Sequence, residues 1–128
     1  MPASDDVHQD QPVFDRGAAL DEARAAMILL HGRGASAQGM LSLADELDVP
    51  DVAYVAPQAA HRSWYPESFL APIDENEPAL SSALRVIEDL IERIGESGLT
   101  EEKVVLAGFS QGACLATEYA ARHPKRYG

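Results

Sequence analysis

A chain of 128 residues is long enough for one domain with a buried core and too short for two. Its net charge of −11, with two lysines against eight arginines and no basic cluster, excludes a surface built to neutralise nucleic-acid phosphates and argues equally against stable insertion at anionic membranes. At 46% hydrophobic and 24% charged residues the composition is globular, and the acidity suits a salt-screened surrounding such as that of a salt-adapted host.

Residues 1–15 read as a disordered acidic arm, with Asp5, Asp6, Asp10 and Asp15 and few apolar anchors. The start lacks the positive and apolar regions of a secretory signal, and no run is long enough to span a membrane, so a cytoplasmic location is expected. Ala25 to Leu30 is a continuous apolar strand that runs into His31-Gly32-Arg33-Gly34-Ala35-Ser36, a glycine-bearing loop whose N–H groups can approach a ligand closely. Ser36 is placed to cap a helix with Met40, Leu43, Ala44 and Leu47 on its apolar face, ended by Pro50. Val52 to Ala56 forms the next strand, closed by Pro57.

From Gln58 to Pro72 the chain is aromatic and proline-punctuated, without periodicity. A loop of this kind at the carboxyl end of a strand can line a pocket, with Trp64, Tyr65, Phe69 and Leu70 as its apolar surface; the other reading is a packed connection in which Trp64 fills core. Pro78 opens a helix with Leu80, Ala83, Leu84, Ile87, Ile91 and Ile94 on one face, stopped by Gly95 and Gly98.

The chemistry concentrates in Lys103 to Tyr119. Val104 to Ala107 is an apolar strand, an Ala-rich helix follows Gly112, and Gly108-Phe109-Ser110-Gln111-Gly112 lies between. A serine at a sharp strand-to-helix turn needs small residues two positions away on either side, and Gly108 and Gly112 meet that need. The turn would project the Ser110 hydroxyl above the sheet and leave the Gln111 N–H at a helix N-terminus, aimed at developing negative charge: a nucleophile elbow. A glycine-rich turn that merely packs or holds a phosphate is the plainer reading, and no lysine follows the glycines to support the phosphate version. The one cysteine, Cys114, reads as a small core residue. Strand, helix, strand, helix, strand, elbow and helix in succession predict parallel strands joined by right-handed crossovers in a three-layer α/β domain.

The run Leu29-Leu30-His31-Gly32-Arg33-Gly34-Ala35-Ser36, the pair Pro57-Gln58-Ala59 and Ser63-Trp64-Tyr65-Pro66, the run Phe69-Leu70-Ala71-Pro72, and Gly108-Phe109-Ser110-Gln111-Gly112 together resemble the phospholipase/carboxylesterase family of α/β hydrolases, which includes the acyl-protein thioesterases. The resemblance covers Ala25 to Gly128 and implies that residues 16–128 are the amino-terminal part of a single α/β-hydrolase domain, truncated after the elbow helix. It also implies hydrolysis of small-molecule carboxylic esters or thioesters through an acyl-enzyme on Ser110. Backbone N–H groups of Gln111 and Arg33 would form the oxyanion hole, and the segment holding Trp64, Tyr65, Phe69 and Leu70 would lie beside the acyl site. The reaction calls for no cofactor, and the sequence shows no metal-ligand cluster.

In α/β hydrolases the acid and the histidine follow the serine, and the stretch from Ala113 to Gly128 holds one helix closed by His123-Pro124. By family position His31 holds the oxyanion loop, His123 ends a helix, and His61 alone sits on a loop that could approach the elbow. The chain therefore reads as the front part of a longer hydrolase, with two further readings: a fragment that acts only with a separate carboxyl-terminal piece, and a non-catalytic small-molecule binding module. As it stands it would leave Val104 to Ala107 as an exposed sheet edge that invites self-association. Arg33 stands where acyl-protein thioesterases commonly carry an apolar residue, so an unspecialised carboxylesterase is the expected class.

Overall fold

The computed structural model describes residues 7–47, 49–68, 70–125 and Tyr127. Strands β1 (Val13–Gly17), β2 (Ala25–Leu30), β3 (Val52–Pro57) and β4 (Val104–Gly108) form one sheet in the order β1-β3-β2-β4. β2 pairs in parallel with β3 on one side and β4 on the other, while β1 runs antiparallel along the outer side of β3. Helices α1 (Ala37–Leu47), α2 (Ala79–Glu96) and α3 (Gln111–Arg122) complete the domain.

The near-continuous apolar runs of β2 and β3 follow from their place in the middle layer, where both faces of a parallel strand are covered. Ala26, Ile28 and Leu30 of β2, with Ala53 and Val55 of β3, pack against α2 and α3. Their alternating neighbours Leu29, Tyr54 and Ala56 face α1. The three-layer α/β arrangement expected from the sequence is thus present.

β1 is a correction. The sequence reading extends the disordered acidic arm to residue 15, yet Val13 to Gly17 is a strand. An edge strand carrying Asp15 and Arg16 lacks the apolar signature of a central one, and such charges are typical where a strand has one open side. Phe14 packs under α1, and Arg16 pairs with Asp45 at 2.6 Å on the surface. Ahead of β1, His8 is buried: its N–H donates to Ser82 Oγ of α2 at 2.9 Å, and Gln9 Nε2 donates to the Ser82 carbonyl at 3.0 Å.

α1 begins as expected, with the Gly39 N–H donating to the Ser36 hydroxyl at 3.1 Å. Its buried stripe is Ala37, Met40, Leu41 and Ala44, whereas Leu43 and Leu47 are 44% and 45% exposed. The small residues Ala37 and Ala44 let the helix settle on the sheet, and that rotates the expected stripe. On α2 the expected face is buried as read, except that Ile91 is only half-covered and Val86 and Leu90 join it.

Candidate active site

β4 ends at Gly108 and α3 starts at Gln111, so the chain reverses over Phe109 and Ser110. Ser110 takes φ 56° and ψ −117°, a conformation open to glycine and strained for any residue with a side chain. The flanking glycines are sterically required. A Cβ on Gly108 would lie 2.3 Å from the Gly112 carbonyl carbon, and one on Gly112 would lie 2.0 Å from the Leu30 carbonyl oxygen. The first turn of α3 is therefore pressed onto the carboxyl end of β2, and the Phe109 N–H donates to Leu30 O at 3.1 Å. The serine stands exposed at the top of this junction.

The loop after β2 comes to the same point. A Cβ on Gly32 would meet Phe109 O at 3.1 Å and Ser110 Cβ at 3.4 Å, so the backbone just before Arg33 rests against the serine. Around this junction the N–H groups of Gly34, Ala35, Phe109, Gly112 and Cys114 donate to backbone carbonyls; among the described residues those of Arg33 and Gln111 donate to none. His31 is fully buried beneath the loop. Its Nδ1–H donates to Gly32 O at 2.7 Å, and its Nε2 accepts from the Ala59 N–H at 3.0 Å, which defines a neutral ring. Burial pushes the His31 pKa down, and nearby Arg62 pushes it further.

Trp64 does not line a pocket. It is fully buried, stacked on His31 at 5.1 Å and edge-on to His8 at 5.3 Å, with its indole N–H donating to His31 O at 2.9 Å. The packed-connection reading holds for it. Two residues that the sequence did not single out for their side chains fasten this segment. Gln111 accepts from the Trp64 N–H through Oε1 at 2.8 Å and donates through Nε2 to Tyr65 O at 2.9 Å. His8 accepts from the Ala60 N–H at 3.0 Å and donates to Trp64 O at 2.7 Å. Neither partner is a side chain, so neither contact leaves a pattern in the sequence.

Tyr65 does border a cavity of about 410 Å³, together with Ile73 and Leu80 on one wall and Ala113, Cys114 and Thr117 of α3 on the other. The tyrosine is almost entirely buried, and burial pushes its pKa up. Leu70 is 82% exposed, outside that lining, and Phe69 lies outside the described residues. Cys114, at intermediate burial, borders the cavity and is not a core residue.

Ser110 Oγ has no hydrogen bond to a histidine or a carboxylate among the described residues. His8 and His31 have both ring nitrogens occupied, His123 stacks on Tyr119 at 4.4 Å at the far end of α3, and His61 is exposed on a 3₁₀ turn. Also among the described residues, no group of three or more His, Cys, Asp or Glu could hold a metal ion, and no helix is long and apolar enough to cross a membrane.

The phospholipase/carboxylesterase family model matches residues 17–128. The chain belongs to this family. Acyl-protein thioesterase 1 of Cryptococcus neoformans var. neoformans serotype D is 31% identical, over 72% of this chain and 46% of its own length. Lysophospholipase-like protein 1 of Mus musculus is 28% identical, over 78% of this chain and 49% of its own. The crystal structure of a phospholipase/carboxylesterase from Dyadobacter fermentans DSM 18053 superposes with a TM-score of 0.89 at 41% identity, covering 92% of this chain and 56% of that one. Acyl-protein thioesterase 2 of Zea mays, at 18% identity and a TM-score of 0.65 over 86% of this chain and 51% of its own, shares the fold. The chain thus spans about half the length of the curated family members it matches, and its fold is the portion of the α/β-hydrolase fold up to the helix after Ser110.

Proposed function

We propose that the chain carries the nucleophile of a serine hydrolase acting on carboxylic esters or thioesters, with Ser110 in a nucleophile elbow. The observation that supports this most directly is the strained backbone of Ser110 between two glycines that tolerate no Cβ. A turn that only connects a strand to a helix has no need of a strained non-glycine residue at its tip.

In this reading Ser110 Oγ attacks the acyl carbonyl as its proton passes to a general base. The carbonyl oxygen gains negative charge and is held by the N–H groups of Gln111 and Arg33. Collapse expels the alcohol or thiol, which takes up the proton, and leaves an acyl-enzyme that water cleaves. The cavity at Tyr65 offers apolar surface for the acyl group. Base and carboxylate come from chain beyond residue 128 or from a separate carboxyl-terminal piece.

The test is fluorophosphonate labelling in an extract of the source cells, followed by enrichment of this chain and intact-mass analysis. Labelling should map to Ser110 and vanish in Ser110→Ala. If a separate piece supplies the base, labelling should appear only when that piece is present. Label on another residue, or none on any species containing this chain with the carboxyl-terminal part present, overturns the proposal; ligand binding that survives Ser110→Ala without acylation of the parent would point to a binding module.

A further inference from the structure

Arg33 contributes a side chain to the site as well as a backbone amide. Although exposed, its guanidinium is committed: Nη1 donates to Pro66 O at 2.8 Å and Nη2 to Glu67 O at 2.9 Å, with Ser63 Oγ 3.3 Å from Nη1. Two nitrogens of one planar fork thus engage successive carbonyls, a geometry that the flexible point charge of lysine does not reproduce. The carbonyls are themselves held. Glu67 N–H donates to the buried side chain of Asn76 at 2.7 Å, Asn76 Nδ2 donates to Ser68 O at 3.1 Å, and Gln111 fastens Trp64 and Tyr65 from the other side.

The backbone around Arg33 is bracketed equally closely. Gly32 rests against Ser110 on one side, and on the other the Gly34 N–H donates to Arg62 O at 2.7 Å. A peptide has two soft dihedrals per residue, so fixing both neighbours and the side chain leaves the direction of the Arg33 N–H little freedom. We propose that the Arg33 side chain is a positioning device: by clamping the carbonyls of Pro66 and Glu67 it holds its own N–H beside Ser110 and ties the loop bearing Tyr65 to the reacting centre. This rests on the reading of Ser110 as nucleophile. The same clamp makes the wall of the apolar cavity and the oxyanion loop move as one unit, so loosening one loosens the other.

The experiment compares the parent with Arg33→Ala and Arg33→Lys, using the chain together with whatever carboxyl-terminal part the labelling experiment shows it to need. Amide hydrogen exchange is followed at Gly34 and Glu67, and the fluorophosphonate acylation of Ser110 is timed over a range of probe concentrations. In both variants exchange at the two amides should rise about tenfold, the scale of one charge-assisted hydrogen bond, while exchange in β2 and β3 holds. The acylation rate constant should fall by a similar factor, and added guanidinium ion should restore part of it in Arg33→Ala. Unchanged exchange at both amides overturns the clamp whatever the labelling does. Faster exchange with an unchanged acylation rate overturns the positioning role. A parent that takes no label defeats the hydrolase reading, and the clamp is then decided by exchange alone.

Discussion

At the scale of the residue, the junction is governed by three positions. Ser110 bears backbone strain because Gly108 and Gly112 let α3 press onto the end of β2. Ser110→Gly relieves that strain, worth ~1–3 kcal/mol, against ~0.4–1 kcal/mol for the added freedom of the unfolded chain. Ser110→Gly should therefore be more stable than Ser110→Ala by ~1 kcal/mol in urea unfolding, though both remove the hydroxyl; equal stabilities would mean the turn is unstrained. Gly112→Ala places a Cβ 2.0 Å from a backbone oxygen, which no rotamer change relieves. A loss of at least ~3 kcal/mol is expected, a large share of the stability of a single domain. A native-like urea midpoint for Gly112→Ala would contradict the close approach.

At the scale of the element, the turn before β1 acts as a latch across the domain. His8 joins Ser82 of α2, Ala60 and the carbonyl of Trp64, and its ring closes one side of the indole. The ring must be neutral, because Nδ1 accepts from the Ala60 N–H and a proton there would oppose it. Burial pushes the His8 pKa below 6.5, the backbone bond to Trp64 opposing, with His31 and His61 adding to the depression; burial likewise lowers that of His31. The unfolded chain then takes up protons first as pH falls. Stability present above 6.5 is lost as pH drops through the folded-state values. Unfolding free energy should decline from about pH 7.5 to about pH 5, and His8→Gln, less stable at the upper end, should show a shallower decline. An identical slope in the variant would mean that His8 contributes nothing to it.

At the scale of the whole molecule, β4 pairs with β2 on one side and with no strand on the other among the described residues. Unpaired strand N–H and C=O groups recruit another strand, and Val104 to Ala107 offers no charge to discourage it. The net charge of −11 works the other way, keeping copies apart while the screening length is long. The 128-residue chain should therefore self-associate in sedimentation velocity, more strongly as salt rises from about 0.01 to about 0.15 M and the screening length falls from about 30 to about 8 Å. A monodisperse monomer throughout that range would count against pairing at this edge.

Much of this was legible from the sequence because its causes are local. The apolar runs of β2, β3 and β4, the Ser36 cap, the face of α2 and the spacing of Gly108, Ser110 and Gly112 each depend on residues within a few positions of one another, where side-chain type alone decides the outcome. The place of β1, the rotated stripe of α1, the burial of Trp64 and the clamps made by His8, Arg33 and Gln111 required the tertiary structure. The edge strand is polar because one side is open, and the stripe of α1 was settled by how closely two alanines let it approach the sheet. For the clamps the reason is sharper: their partners include backbone carbonyls of Trp64, Tyr65, Pro66 and Glu67. Every residue carries the same carbonyl, so only the folded chain decides which of them a distant side chain will meet.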